Sequence, residues 1–241
     1  MARGAGALVD AVPLDESLGI DLEEMARRVD DRTRIVFLCN PNNPTGSFYA
    51  HAAFEQFMQR IPDTVVVVVD EAYFEFVRDS RYQTAARLCL RYPNLVVLRT
   101  FSKAYGLAGL RVGYGVMHPE MTAVINRIRQ PFNASVPAQA GAVAALGDTV
   151  FLQRSIAVVH EGIDALFAAL DRMGIRYFPT QANFFLVDVG LPAAEVFEAM
   201  LKKGVIVRSM ASYGYPHYIR INAGLPAENE RFLQALGEVL A

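Results

Sequence analysis

The sequence predicts an α/β fold built on a mainly parallel sheet, because apolar runs of strand length alternate with amphipathic helical stretches. The strongest strand signal lies at 64–69, where five valines follow a threonine, a composition typical of a strand buried on both faces. Polar clusters at 40–46, 70–73 and 100–103 each follow an apolar run. Because sites in open α/β sheets form at the carboxyl ends of strands, we expect these clusters to converge in space.

The first half of the chain supplies the elements of this sheet. Asp21, with Glu24 three residues later, resembles a helix start and precedes an apolar helical face. The run at 35–39 is broken abruptly by Asn-Pro pairs, which favour turns. Strands are predicted at 7–13, 35–39, 64–69, 95–99 and 112–117, and helices from 21 and at 51–60, 85–91 and 119–130.

The sequence pattern in the second half of the chain predicts a smaller α+β unit. Alanine-rich helices at 138–147 and 149–173 are long enough to connect two units, and Gly174 is expected to cap the second helix. Strands are expected at 184–189, 205–208 and 218–222, with helices at 193–203 and 227–241. We therefore predict a large domain over residues 1–150 and a small C-terminal domain over residues 151–241.

The composition of the 241 residues argues against several classes of function. A net charge of −2 gives no basis for nucleic-acid binding, and no apolar run reaches the about 18 residues of a membrane span. Cys39 and Cys89 are expected to be buried thiols in a reducing compartment. The four histidines lack metal-ligand spacing, so no metal site is predicted and they are expected on the surface or in loops.

One stretch, 99–111, carries chemistry of its own. Lys103 follows an apolar run, and a lysine at the end of a buried strand can lower its pKa and act as an amine nucleophile. Arg111, eight positions on, could hold a phosphate with its planar fork of donors. This pair matches the needs of pyridoxal phosphate (PLP), an imine to the aldehyde and an anchor for the phosphate. Taken alone, the stretch also fits a polar turn with a solvated lysine.

A set of motifs in this order resembles the class I and II aminotransferases of fold type I, and most closely the histidinol-phosphate aminotransferases. The motifs are Asn-Pro-Asn-Asn-Pro-Thr-Gly at 40–46, Asp-Glu-Ala-Tyr at 70–73, Thr-Phe-Ser-Lys at 100–103, Gly-Val-Ile-Val-Arg at 204–208 and Tyr-Ile-Arg-Ile-Asn at 218–222. The resemblance implies a fold-type I PLP-dependent transferase. It also implies amino transfer between histidinol phosphate and 2-oxoglutarate in histidine biosynthesis, by a cytoplasmic homodimer with small-molecule partners and neither nucleic acid nor membrane.

The resemblance also implies roles for individual residues. Lys103 would form the imine and carry a proton, Asp70 would face the pyridine nitrogen, and Tyr73 and Asn43 would hydrogen-bond the ring oxygen. Thr100, Ser102 and Arg111 would bind the cofactor phosphate, Arg220 the substrate α-carboxylate and Arg208 its anionic end, with Asn183 in support.

Each assignment has a structural alternative. Asp70 could be a turn or capping residue, Tyr73 plain packing, and Asn43 a turn residue. Ser102 could only cap its loop, Arg220 could form a structural ion pair, and Arg208 could be solvated or lie at an interface.

The resembled family extends further at its N-terminus, where a loop adds phosphate donors and an aromatic residue stacks on the pyridine ring. We therefore expect this chain to be a fragment of an aminotransferase that lacks part of the large domain, and to bind PLP weakly. Three functions stay open. The first is a histidinol-phosphate aminotransferase, and the second is a lyase such as one similar to threonine-phosphate decarboxylase. The third is non-enzymatic: a truncated chain that keeps the residues without a working site, or a PLP-fold domain that serves as a sensor.

Overall fold

The computed structural model describes residues 3–240, which form two separate sheets and seven α-helices. The strands are β1 (Ile35–Cys39), β2 (Val66–Asp70), β3 (Leu95–Thr100), β4 (Gly113–Met117), β5 (Phe184–Asp188), β6 (Arg208–Ser209) and β7 (Tyr218–Asn222). The helices are α1 (Leu22–Arg27), α2 (His51–Arg60), α3 (Pro119–Ile128), α4 (Val136–Gly147), α5 (Thr149–Met173), α6 (Ala193–Lys202) and α7 (Pro226–Leu240).

The first sheet has the order β1-β2-β3-β4, with the first three strands parallel and β4 antiparallel to β3. The register sets Cys39 opposite Asp70, and Asp70 opposite Leu98. The carboxyl ends of three consecutive strands therefore meet at one edge of the sheet. This arrangement confirms the predicted α/β fold and brings the polar clusters that follow β1, β2 and β3 together.

The core of the first sheet lies on one face. Buried side chains of β1 and β2, including Leu38 and Val67, join Phe54 of α2 and Leu22 of α1 in one cluster. The prediction that β2 is buried on both faces is wrong, because the residues between its buried valines are only half-buried. A run of valines is buried on both sides only where a second layer covers the sheet, and the described residues leave much of that face open.

The second sheet has the order β5-β7-β6 and is entirely antiparallel. Its apolar face packs against α5, α6 and α7 around Leu170, Phe185, Met200 and Leu236. The long helix α5 ends at Gly174, whose φ of 66° is left-handed, as predicted for a C-cap. The domain boundary near residue 150 stays a prediction, although α5 does begin at Thr149.

Three predicted elements are wrong. Residues 7–13 form no strand, and most of them are exposed without a neighbouring strand among the described residues. The helix predicted at 85–91 is only a short 3₁₀ turn, Ala85–Leu88. The strand predicted at 205–208 is limited to β6, since only Arg208 and Ser209 pair with β7. In all three segments the composition favours the predicted element. The two predicted strands lack a full set of pairings with a neighbouring strand, and the predicted helix is too short to be an α-helix.

Cys39 and Cys89 are free thiols, and Cys89 is buried as predicted, whereas Cys39 is half-buried. His160 corrects the prediction of surface or loop histidines, because it is half-buried on α5 with its Nε2 2.8 Å from the Phe76 carbonyl oxygen. No cluster of potential metal ligands occurs within residues 3–240. In the same range no single helix has the length and apolar character to cross a membrane, although α4 and α5, bent by 79°, pass that test as a pair.

Candidate active site

A cavity of about 360 Å³ opens at the carboxyl ends of β1, β2 and β3. All the residues predicted to bind the cofactor line it, which is the convergence expected from strand ends in a parallel sheet. Its lining comprises Cys39, Asn43, Asp70, Ala72, Tyr73, Leu98, Arg99, Thr100, Ser102, Lys103 and Arg111.

Asp70 is the last residue of β2, and its carboxylate Oδ1 accepts a hydrogen bond of 2.9 Å from the Ala72 amide. Desolvation by the surrounding protein raises the pKa of Asp70, while the Ala72 amide and the positive charge of Lys103 oppose that rise. The carboxylate is therefore fixed by the turn after β2, in surroundings that favour a cation beside it.

Lys103 lies in the turn after β3, and its Nζ is 5.3 Å from the centroid of the Tyr73 ring. Tyr73 is buried and packs edge-on against Phe184, with ring centroids 5.0 Å apart. Burial raises the pKa of the Tyr73 phenol, and the neighbouring Arg220 opposes that rise. The amine and the phenol therefore face the same space from different loops.

The loop that follows β3 brings hydroxyl and guanidinium groups to another part of the cavity. Thr100 Oγ1 accepts a hydrogen bond of 3.0 Å from the Ser102 amide, which closes a tight turn before Lys103. Arg111 has a left-handed backbone, φ 51°, and its Nη1 donates to the Ala108 carbonyl at 2.8 Å. A left-handed arginine is uncommon, and such residues often occur at functional sites.

The loop that follows β1 is held by its own side chains. The buried Asn40 bridges to both backbone groups of Tyr49, and the Gly46 amide donates to the Asn42 carbonyl at 2.7 Å. This loop presents Asn43 to the cavity, where its Oδ1 accepts a hydrogen bond of 2.6 Å from Arg220 Nη1. Arg220 thereby links β7 of the second sheet to the loop after β1.

Arg220 lies opposite Arg208 in the β6–β7 register. Burial, together with the charge of Arg208, lowers the pKa of Arg220, and the buried Arg220 Nε has no hydrogen-bond partner among residues 3–240. Like charges directly opposite each other on a sheet are unfavourable, so an anion between them would be stabilising. Arg208 itself is exposed and lies over the Tyr213 ring at 5.7 Å.

These arginines border a larger concave surface of about 870 Å³ beside β6, β7 and α7, which does not include Lys103. Asn183, just before β5, has a buried Oδ1 without a hydrogen-bond partner in the described chain. Sequence reasoning missed Glu71 and Arg99, which form an ion pair at the edge of the cavity, with Glu71 buried and Arg99 among the lining residues. The available signal was that Glu71 lies within the motif at 70–73 and Arg99 directly precedes the motif at 100–103.

The sequence is similar to those of known aminotransferases. A sequence model for the family described as aminotransferase class I and II matches residues 1–236. Histidinol-phosphate aminotransferase 2 of Pseudomonas fluorescens is 47% identical over 241 residues, which cover 100% of this chain and 65% of that protein. Histidinol-phosphate aminotransferase 1 of Cupriavidus pinatubonensis is 51% identical over 225 residues, covering 92% of this chain and 60% of that protein.

A solved structure shares the fold as well. The histidinol-phosphate aminotransferase of Sinorhizobium meliloti in complex with pyridoxal-5'-phosphate superposes with a TM-score of 0.90 at 30% identity, covering 99% of this chain and 66% of that one. This similarity identifies the fold as that of the fold-type I aminotransferases. The chain spans 65% and 60% of the lengths of the two curated relatives.

Proposed function

The chain belongs to the class I and II aminotransferases, and from this premise we propose that it serves PLP-dependent amino transfer between histidinol phosphate and 2-oxoglutarate in histidine biosynthesis. The observation that carries the proposal is the single cavity lined by Lys103, Asp70, Tyr73 and Arg111. These residues supply an amine, a carboxylate, a phenol and a guanidinium around one space. That set of groups fits the aldehyde, ring nitrogen, ring oxygen and phosphate of PLP.

Bound PLP supplies an aldehyde that condenses with amines and a ring that accepts the electron pair released at the substrate α-carbon. Lys103 would hold the cofactor and afterwards move a proton with its amine. Asp70 would keep the ring nitrogen protonated, and the cation would in turn favour the ionised carboxylate, whose pKa desolvation otherwise raises. Thr100, Ser102 and Arg111 would bind the phosphate.

The paired arginines support the choice of anionic substrates. Arg220 is half-buried, and its guanidinium lies 4.8 Å from the Phe184 ring, which leaves its charge partly desolvated. A carboxylate or phosphate would pair with the Arg220 guanidinium by charge-assisted hydrogen bonds. Glutamate and 2-oxoglutarate carry an α-carboxylate for Arg220, and Arg208 would serve the other anionic group.

We also propose that the active protein is a cytoplasmic homodimer. The support for these two statements is the family resemblance, in which the partner chain completes each site. Light scattering of the purified protein would decide the oligomeric state.

The test of the main proposal is chemical labelling combined with product analysis. Borohydride reduction in the presence of PLP should place a pyridoxyl group on Lys103, and Lys103→Ala should abolish the label, whereas Lys202→Ala serves as the matched control and should retain it. Histidinol phosphate and 2-oxoglutarate should yield glutamate. A label on Lys202 or Lys203 would overturn the site, and carbon dioxide release from an amino acid would favour a decarboxylase.

A further inference from the structure

Glu71 and Arg99 form an ion pair at the edge of the cavity, in which Glu71 is buried and the partly buried Arg99 also lines the cavity. Glu71 is 1% exposed, and its Oε2 accepts hydrogen bonds from Arg99 Nε at 3.1 Å and Arg99 Nη2 at 2.9 Å. The Thr84 hydroxyl donates to the same oxygen at 2.8 Å, and the Ala85 amide donates to Oε1 at 2.7 Å. Both carboxylate oxygens are thus satisfied, and the pair is fully hydrogen-bonded on the glutamate side.

Arg99 makes further contacts that fix its plane. Its guanidinium lies 3.5 Å from the centroid of the Phe74 ring, its Nη2 also contacts Thr84 Oγ1 at 2.6 Å, and its Nη1 lies 3.4 Å from the Tyr114 hydroxyl. This geometry uses several donors of a planar fork at once, which a lysine could not reproduce.

Three residues of this network are direct sequence neighbours of residues that line the cavity. Glu71 succeeds Asp70, Phe74 succeeds Tyr73, and Arg99 precedes Thr100. The Glu71 amide also donates to the Leu98 carbonyl at 2.9 Å, which extends the pairing of β2 and β3 beyond Asp70. The network therefore connects the ends of the strands that carry Asp70 and Thr100.

Stability alone is a weak reason for such a pair. Replacing a buried ion pair by uncharged residues of similar volume is often neutral or stabilising, because desolvation offsets the Coulomb attraction. The pair instead restricts the backbone at two strand ends to one arrangement, since a shift of either strand would break several short hydrogen bonds together.

We propose that Glu71 and Arg99 are positioning residues that set the spacing between Asp70 and the Thr100–Lys103 turn, and so between the groups that hold the two ends of the cofactor. This proposal rests on the proposed function, because it assumes that PLP binds in the cavity. Arg99 lines the cavity, but its guanidinium donors are used by Glu71, Thr84 and Tyr114. We therefore expect the pair to act by placing the strand ends, with effects on cofactor affinity and on the pH response of the bound cofactor.

The test compares the holoprotein with the double variant Glu71→Gln/Arg99→Met. The glutamine keeps an acceptor oxygen for the Ala85 amide and places its NH2 group where it can donate to the Thr84 hydroxyl oxygen. The double change removes both charges of the pair together. We expect the melting temperature to stay close to that of the wild type. PLP affinity should fall about tenfold or more, equivalent to about 1.4 kcal/mol, and the pH midpoint of the cofactor absorbance should move.

The exposed pair Arg91–Glu55 offers a matched control, since Glu55→Gln/Arg91→Met makes the same chemical change at a surface site. It should leave affinity and pH midpoint unchanged. Arg99→Lys is the second variant: it keeps the charge without the fork, so it should fold and still bind PLP more weakly, with a moved midpoint. This measurement decides the question even if the double variant does not fold.

The outcomes separate the two proposals. Wild-type affinity and midpoint in the folded double variant, or in Arg99→Lys, would overturn the positioning role while leaving the proposed function intact. A wild-type protein that binds no PLP would overturn the proposed function, and the positioning role with it.

Discussion

At the scale of single residues, the two arginines of the second sheet make the most specific claim about substrate. Arg220→Ala should weaken every substrate that carries an α-carboxylate, because the charged hydrogen-bond partner is removed from a half-buried site. Arg208→Ala should weaken a phosphate-bearing substrate more than its dephosphorylated analogue. Losing a buried charged partner costs about 2–5 kcal/mol, which substrate dissociation constants would reveal. Equal losses for both forms would remove Arg208 from the phosphate role.

Glu75 predicts a pH dependence of stability. Burial raises the pKa of Glu75 to about 7, with Arg99 opposing the rise and Glu71 adding to it. In the folded protein the pKa of Glu75 lies above its ordinary value of 4.5. The contribution of Glu75 to the free energy of unfolding is therefore fully present below about pH 4.5, where the carboxyl is protonated, and is lost as the pH rises through about 7. Glu75→Gln should therefore raise the melting temperature at pH 8 relative to the wild type, and change it little at pH 4.5.

The control for this prediction is Glu16→Gln, at an exposed position. Glu16→Gln should leave the pH profile of the melting temperature unchanged. A Glu75→Gln variant whose profile runs parallel to that of the wild type would contradict the assignment.

Most of the cavity residues could be predicted from the sequence because they lie at the end of a strand or in the loop after it, and strand ends in a parallel sheet share one edge. Asp70, Lys103 and Arg111 could be predicted in this way, because their motifs and the apolar runs that precede them are recognisable in a short stretch of sequence. The Glu71–Arg99 pair could not be predicted in the same way. It depends on the register of β2 against β3 and on the turn at Thr84, neither of which a local pattern encodes.

At the scale of elements, the loop after β1 depends on Gly46. Its φ is +75°, and a Cβ added there would overlap Thr180 Oγ1. Thr180 cannot easily move, because its hydroxyl contacts the Phe184 carbonyl at 2.6 Å and the Ala182 amide at 3.0 Å. Gly46→Ala should cost about 2–5 kcal/mol, combining left-handed strain with overpacking, as measured by denaturant unfolding.

Gly174 provides the matched control for that prediction. It has a similar φ of +66°, but an added Cβ would meet nothing within 4 Å. Gly174→Ala should therefore cost only the backbone term, about 1–2 kcal/mol. Equal losses at the two positions would show that the contact with Thr180 contributes nothing.

The strands also show which elements local patterns can establish. Strand β7 has the limits predicted from the sequence. In the structure its residues alternate between buried and more exposed positions, the period of two of a strand with one covered face. The apolar segments at 7–13 and 205–207 have similar composition but lack a ladder of hydrogen bonds in the described chain. Composition therefore identifies segments able to form strands, and only a neighbouring strand makes them do so.

At the scale of the whole molecule, the first sheet is asymmetric. Leu38 is 2% exposed, whereas its neighbours on the other face are open: Phe37 is 64% exposed and Ile35 50%. Leu98 of β3 adds to the open face at 39%. Contiguous apolar surface of this kind favours association with other apolar surfaces. The sequence could not reveal this asymmetry, because valine-rich strands have the same composition whether one or both faces are covered.

The open face leads to a prediction about the behaviour of this chain in solution. Phe37→Thr should lower both dye binding to exposed apolar surface and concentration-dependent light scattering, while the melting temperature stays within a few degrees, about the effect of an exposed substitution. Leu38→Thr, one residue away on the buried face, should instead cost about 2–5 kcal/mol of unfolding free energy, because it removes core contacts and buries a hydroxyl. Both variants introduce threonine at adjacent positions of the same strand, so the main difference between them is whether the replaced side chain lies on the covered or the open face. Equal destabilisation by the two variants would mean that Phe37 is covered in solution, and the open-face description would then be wrong.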